Sequence, residues 1–382
     1  MSLELRIEKV AHGGVFVARP EGKVALVSGA IDGELVRAEV VEEAKSFVRA
    51  EVIEVLEPSE HRIEHIWPAA AKGAGGADFG HIALQHQRSL KSQVLTEALD
   101  RMAGLHWQGE VSAADESGLG YRRRIQLHAN KHGRLGVKRQ RSDEIIPIGK
   151  HPLAAAEINE SGIFTKRFSD GNRVEVALDD MGNLSESVNG KAASAQLSYQ
   201  ALTRRFSLSG STFWQAHKAA PELLAGEVLR QLEELGGADQ VLDLYSGAGL
   251  FAANIAEHFD ASVTAVESSA SAVSDGKRSA ADLRKLSFIK SDVLQFLRHQ
   301  QEIPETLVLD PPRSGAATKV TSEIVRLRPK RIVYVACDPV ALARDLKQFA
   351  AAGYELTRLS AFDIFPQTHH FETVVSLRLA RV

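Results

Sequence analysis

The sequence predicts an α/β protein: a C-terminal doubly wound, mostly parallel sheet, preceded by a small OB-like β-barrel and a mixed central α+β section. Three observations carry that expectation. From about residue 210, apolar strand-like runs alternate regularly with helical segments. The first of those strands ends in a glycine loop, Asp243-Leu-Tyr-Ser-Gly247-Ala-Gly249, just where the next helix begins. Residues 1–58 instead hold several short β patterns broken by glycine and proline turns. The expected divisions are therefore residues 1–58, 59–209 and 210–382.

Composition narrows the class. With 44% hydrophobic and 25% charged residues, the 382-residue chain is neither disordered nor fibrous. No apolar run approaches the ~20 residues that span a bilayer, so no membrane association is expected. The opening MSLELRIEKV mixes charged and apolar residues and does not read as a signal peptide. The one cysteine, Cys337, cannot form an internal disulfide, a multi-cysteine zinc site or an ordinarily ligated iron–sulfur cluster. A reducing, cytoplasmic location is expected. The net charge of −3 gives no general attraction to polyanions, so any such surface must be local.

In the first section, residues 15–18, 24–27, 34–41 and 47–55 read as strands. In the middle section, residues 85–102 read as an amphipathic helix with Leu90, Val94, Leu95, Ala98 and Leu99 on one side, and the Ala/Gly-rich stretch 69–76 reads as a loop. Residues 121–141, YRRRIQLHANKHGRLGVKRQR, contain eight Lys/Arg and no acid. Such a run reads either as a solvated face or, because Ile125, Leu127, Leu135 and Val137 alternate with the charges, as two strands with one basic face suited to a phosphate backbone. Arg122, Arg123, Arg124, Lys138, Arg139 and Arg141 are the candidate contacts.

In the last section, strands are expected at 241–244, 262–266, 287–290, 306–309, 331–335 and 373–379, with helices at 250–259, 270–286 and 339–351. This is a Rossmann-like arrangement, whose ligands sit beyond the carboxyl ends of the strands. At the first end, Gly247 and Gly249 let a ligand approach the backbone. Glu267 closes the second strand and can hold the two hydroxyls of a ribose. The third position of a dinucleotide G-x-G-x-x-G pattern is Ala252 here, which disfavours a dehydrogenase without excluding it, and a plain structural turn stays open. Asp292 ends the third strand and reads equally as an adenine contact or a helix N-cap. After the fourth strand comes Asp310-Pro-Pro-Arg313, a rigid loop in which Asp310 would face the cofactor and Arg313 the substrate, unless it is simply a turn.

The fifth strand delivers Cys337 to the same edge. A lone cysteine is ordinarily a small core hydrophobe, but at a strand end it reads as a nucleophile. Glu372, at or just before the last strand, is a candidate general base. The adjacent His369 and His370 are too few to hold a metal, and none is expected. A thiolate, a carboxylate and a methyl donor together suit methylation of a pyrimidine at carbon 5. That carbon becomes nucleophilic only after sulfur adds to carbon 6.

The pattern D-L-x-x-G-x-G-x-F resembles class I S-adenosylmethionine-dependent methyltransferases. DLYSGAGLF, LDPPRSG, YVACDPVALARDL and FPQTHHFETVV together resemble the uracil-C5 RNA methyltransferase family, and the likeness extends over essentially the whole chain. Phe213-Trp-Gln215-Ala-His217 resembles that family's F-x-Q-x-N segment, and the first 58 residues resemble its RNA-binding TRAM module. The resemblance implies Cys337 as nucleophile and Glu372 as base. It implies Gln215, Tyr245, Glu267, Asp292 and Asp310 around S-adenosylmethionine, with Gly247 and Gly249 as its backbone wall. It also implies an RNA partner, ribosomal rather than transfer RNA; a monomer is the default expectation.

Departures from the family pattern matter too. Where members often carry a C-G-G-C cluster-ligand pair before a Q-H, this chain has Ala74-Gly-Gly-Ala77 and then Gln85-His86, so no iron–sulfur cluster is expected. Ala336, Asp338, His217 and Leu250 also differ from the usual residues. The target base must be splayed from its stack, and aromatic or histidine side chains in 365–371 are candidates to hold it. Methylation of cytosine or another site, and non-catalytic RNA binding, remain the alternative readings.

Overall fold

The computed structural model describes residues 1–140, 142–192, 196–301 and 304–380, which leaves Arg141 outside the described residues. The first six strands are β1 (Ser2–Arg6), β2 (Lys9–Ala11), β3 (Val15–Ala18), β4 (Val24–Ser28), β5 (Leu35–Glu43) and β6 (Phe47–Glu57). They form one sheet in the order β1-β5-β6-β4-β3-β2. Its two edges are consecutive in the chain. Between them, the Ile7 amide donates to the Glu34 carbonyl at 2.9 Å and the Glu8 amide to the Val17 carbonyl at 2.8 Å.

Helix α1 (Leu84–Ala98) follows, and its last turn widens into a π segment, Leu99–Ala103. Leu90, Leu95, Ala98 and Leu99 are buried, as the helical spacing predicts, while Val94 is half-buried. The 69–76 stretch is not entirely loop, since Pro68–Lys72 forms a 3-10 turn. Next come β7 (Val111–Ala113), β8 (Arg124–Ala129), β9 (Leu135–Lys138), β10 (Ile145–Pro147), the short α2 (Ala156–Glu160), β11 (Arg173–Leu178), β12 (Leu184–Val188) and β13 (Lys191–Ala192). Strands β8 to β13, β7 aside, make a second sheet in the order β10-β9-β8-β11-β12-β13. Ile125, Leu127 and Ala129 face its core, and Gln126 faces solvent, the alternation of a sheet buried on one side. The hairpin β14 (Gln196–Ala201) and β15 (Arg204–Ser209) turns Leu197, Tyr199, Phe206 and Leu208 toward the core that continues into the C-terminal section.

That section contains α3 (Ala220–Glu234), β16 (Gln240–Leu244), α4 (Leu250–Phe259), β17 (Ser262–Glu267), α5 (Ala270–Ser279), β18 (Leu286–Lys290), α6 (Val293–His299), β19 (Thr306–Leu309), α7 (Ala317–Leu327), β20 (Arg331–Ala336), α8 (Pro339–Ala351), β21 (Tyr354–Asp363) and β22 (Glu372–Leu379). The sheet order is β18-β17-β16-β19-β20-β22-β21-β7. The order in which strands are added reverses between β16 and β19, and such a switch point opens a crevice at the strand ends. Strand β19 is buried along its whole length, as a central parallel strand covered on both faces must be.

One expected boundary needs correction, and two strands were not anticipated. Helix α5 stops at Ser279 rather than near 286; Leu283, in the connection, and Leu286, the first residue of β18, pack on the core and keep the helical spacing beyond the helix. Strand β21 has no clean alternation, because its register shifts between Leu356 and Arg358 against β22. Strand β7, from the middle section, extends the C-terminal sheet by pairing with β21. Among the described residues, no helix is long and apolar enough to cross a membrane.

Candidate active site

A cavity of about 400 Å³ opens at the carboxyl ends of β16 and β17. Gln215, Tyr245, Gly247, Glu267 and Asp310, far apart in the chain, all line it. The Glu267 carboxylate is oriented at both oxygens. It accepts from the Gly247 amide at 3.1 Å and from the Ser269 amide at 2.7 Å. Gly247 has φ +55°, and a Cβ there would meet open space, so the cavity is wide at this point. Tyr245 also has positive φ, +61°, a strained conformation for a side chain of its size. Phe213 and Ser246 line the cavity as well. Phe213 is exposed, and the Ser246 hydroxyl is buried with no hydrogen-bond partner.

Gly249 and Asp292 stand outside that lining. Gly249 has φ +86° and starts α4, where a Cβ would come 2.6 Å from the Phe288 ring, so glycine there serves close packing. The Asp292 carboxylate caps α6, accepting from the Gln295 amide at 2.9 Å, the helix-cap alternative of its sequence reading.

Cys337 follows β20 directly. Ala336 pairs with Thr373 of the antiparallel β22, and the Thr373 hydroxyl donates to the Ala336 carbonyl at 2.9 Å. Continuing that register by one residue sets Cys337 against Glu372. The thiol is half-buried, whereas Glu372 is buried. Burial pushes the Cys337 thiol up to about 12, and the carboxylates of Glu372 and Asp310 add to this while Arg313 opposes it. Burial, with Asp310, also holds Glu372 well above the usual carboxylate range. Burial lifts Asp310 to about 7.

Helix α8 fixes the loop that follows β19. The buried Asp345 accepts from the Tyr334 hydroxyl at 2.7 Å and the Ala316 amide at 2.8 Å, and Arg344 donates to the Ser314 carbonyl at 2.7 Å. Asp310 then faces the 400 Å³ cavity, and Arg313, three residues on, faces a second cleft of about 860 Å³. Sequence reasoning missed Asp345. Its signal was an acid four residues from both Ala341 and Phe349, on the apolar face of an amphipathic helix.

The chain is 34% identical over 429 residues to an uncharacterized RNA methyltransferase of Streptomyces avermitilis, covering 99% of this chain and 98% of the relative. Residues 290–380 match the model of the tRNA (Uracil-5-)-methyltransferase family. The chain belongs to the uracil-C5 RNA methyltransferase family. A 23S rRNA (uracil(1939)-C(5))-methyltransferase RlmD of Shewanella piezotolerans is 27% identical, covering 99% of this chain and 96% of the relative. The Pyrococcus abyssi tRNA (uracil-54, C5)-methyltransferase, solved with S-adenosyl-L-homocysteine, shares the fold with a TM-score of 0.73 at 19% identity, over 98% of this chain and all of that one.

The cofactor that the sequence pattern implies is S-adenosylmethionine. The residues present fit that group. The unpartnered Ser246 hydroxyl, the open face of Gly247 and the fixed Glu267 carboxylate are what a polar nucleoside requires.

The 860 Å³ cleft of the methyltransferase lies between the N-terminal sheet, the second sheet and the catalytic edge. Arg122, Lys138, Arg139, Arg313, His369 and His370 line it. Arg123 and Arg124 do not. Arg123 pairs with Asp180, and Arg124 donates to the Gly210 carbonyl at 3.1 Å. Acids invisible in the 121–141 run approach from elsewhere: Lys138 pairs with Asp143, and Arg139 with Glu144, each at 2.6 Å. Within 365–371, Phe371 is buried in the core and not available to a base, whereas His369 and His370 face the cleft.

Ala74 and Ala77, at the cluster-ligand positions of relatives, are buried among Trp67 and Val137 in the core of the second sheet. His86 contacts Asp32 at 2.9 Å. His217, an unusual residue for the family pattern, is fully buried, 2.9 Å from Asp115 and stacked on Tyr121, so it braces the chain rather than lining the cofactor cavity.

Proposed function

We propose that this enzyme methylates carbon 5 of a uridine in RNA through a covalent bond between Cys337 and carbon 6, with Glu372 as the base. When bound, S-adenosylmethionine supplies an electrophilic methyl group. Gln215, Tyr245, Gly247, Glu267 and Asp310 would hold it, and the cavity they share supports that reading. Cys337, its proton passed to solvent, adds as the thiolate to carbon 6, and the electron pair of the 5,6 double bond moves toward the carbon-4 carbonyl as an enolate, which makes carbon 5 nucleophilic. After methylation, Glu372 removes the proton from carbon 5, the double bond re-forms and the carbon–sulfur bond breaks. A carboxylate whose burial raises its basicity suits that removal. The observation that most supports the mechanism is the β20–β22 register, which pairs Ala336 with Thr373 and, continued by one residue, brings Cys337 opposite Glu372.

Residues 1–58 would act as an OB-like TRAM domain. The two consecutive edges of its sheet, joined through Ile7 and Glu8, support closure into a barrel. Residues 59–209 would form the central RNA-binding domain and 210–382 the methyltransferase domain. Ribosomal RNA is favoured over transfer RNA by the higher identity to a 23S rRNA enzyme, 27%, than to the tRNA enzyme, 19%. The enzyme would act as a cytoplasmic monomer.

The test uses 23S rRNA and tRNA transcripts with a labelled methyl donor, followed by nucleoside mass spectrometry. The expected product is 5-methyluridine in ribosomal RNA, lost in Cys337→Ala. Undiminished turnover by Cys337→Ala would remove the mechanism, and 5-methylcytidine would replace the substrate.

A further inference from the structure

The turn between β2 and β3 reaches the catalytic edge. The His12 Nε2 lies 2.8 Å from Asp338 Oδ2, and Asp338 is the residue after Cys337. The other Asp338 oxygen caps α8, accepting from the Val340 amide at 3.1 Å and the Ala341 amide at 2.8 Å. One carboxylate therefore ties the N-terminal sheet to the helix that begins at the nucleophile. The turn is tightly seated. A Cβ on Gly14, at φ +73°, would come 2.7 Å from Asp78 and 2.8 Å from the His369 ring. Strand β2 is held from its other end too, by Lys9 paired with Glu97 of the α1 helix at 2.5 Å.

We propose that His12 is a positioning residue for the reaction: its imidazole orients the Asp338 carboxylate and compensates its negative charge beside the Cys337 sulfur. The inference rests on the reading of Cys337 as nucleophile. Asp338 is an unusual residue next to that cysteine in the family pattern, and an uncompensated carboxylate there opposes thiolate formation. Asp338 draws His12 above its ordinary range, chiefly through their hydrogen bond, so the imidazole favours its charged form. The other titratable groups lining the same small space are Cys337, Lys91, His369 and His370; Asp78 pairs with His369 beside it, and Glu372, Asp310 and Arg313 also act on the thiol. An ion pair this exposed adds little to stability, so its effect is expected on the neighbouring thiol rather than on folding.

Because Cys337 is the only cysteine, its alkylation by iodoacetamide reports on this thiol alone. In the full-length enzyme, His12→Gln should slow alkylation and kcat by about five- to tenfold near neutral pH, the effect of just under one pKa unit. KM for RNA should stay unchanged. Adding Asp338→Asn, which keeps a capping oxygen but removes the charge, should restore alkylation in the double variant. Alkylation of His12→Gln at the wild-type rate, or a double variant as slow as the single one, would overturn the proposal. Persistent methylation by Cys337→Ala would instead sink the nucleophile reading, while the alkylation series still measured the charge compensation.

Discussion

Lys91 and Asp363 meet at 2.5 Å with both side chains buried, joining the α1 helix to the end of β21. The Lys91 ammonium also donates to the Phe365 carbonyl at 3.2 Å, at the start of the segment that carries His369, His370 and Glu372. Burial lowers the Lys91 ammonium, and Asp363 opposes that loss of charge. A desolvated pair of this kind contributes little over an apolar substitute, but losing one partner strands the other. Lys91→Met should therefore destabilise the protein by about 3–5 kcal/mol in urea unfolding, and Lys91→Met/Asp363→Leu should recover most of the loss.

Glu372→Gln should separate bond formation from release. The amide cannot take the carbon-5 proton, so turnover should fall by about 10²–10⁴-fold. Cys337 remains able to add, and an RNA–protein adduct resistant to denaturing gels should accumulate. An inactive Glu372→Gln with no adduct would argue that the carboxyl acts before addition.

Glu267 accepts two backbone amides and borders the cofactor cavity. Charge-assisted hydrogen bonds contribute about 1.5–3 kcal/mol each. Glu267→Ala should weaken S-adenosylmethionine binding by about 10–100-fold in calorimetry, with RNA affinity unchanged.

Asp310 gives a stability signature with a defined sign. Burial raises its carboxyl from 3.8 to about 7, so the folded chain keeps a proton that the unfolded chain has released. The associated stability is complete below about pH 4 and is lost as pH rises toward about 7. Asp310→Asn, which has no such proton to lose, should raise Tm relative to wild type more at pH 8 than at pH 5. Equal shifts at both pH values would mean that the carboxyl does not titrate as its burial dictates.

Arg122 faces the 860 Å³ cleft with its guanidinium 5.6 Å from the Tyr121 ring centre, and no acid among the described residues neutralises it in the way Asp180 neutralises Arg123. If it contacts one phosphate, Arg122→Ala should flatten the plot of log affinity against log salt by about 0.7. Arg123→Ala should leave that slope in place.

Much of this enzyme could be read along the chain. Strands β16 to β20 are short apolar runs ending in chemically specific residues, and a parallel sheet requires both features in sequence-local form. The Gly247 loop, Glu267, Asp310 and Cys337 could thus be assigned to one edge before any distance was known. The limits of α5 and β21 were obscured because Leu283 and Leu286 keep helical spacing outside a helix and a register shift breaks the alternation of β21. Other properties depend on groups outside the segment that carries the signal. Lys138 and Arg139 look unopposed in a run without acids until the turn brings Asp143 and Glu144 against them. Asp292 could equally cap a helix or meet a nucleoside, and its 2.9 Å bond to Gln295 accounts for the carboxylate locally. The contact between His12 and Asp338 spans 326 positions. Backbone propensity and side-chain periodicity are local and therefore legible in order along a chain, whereas burial and charge compensation depend on which distant groups folding brings within a few ångströms.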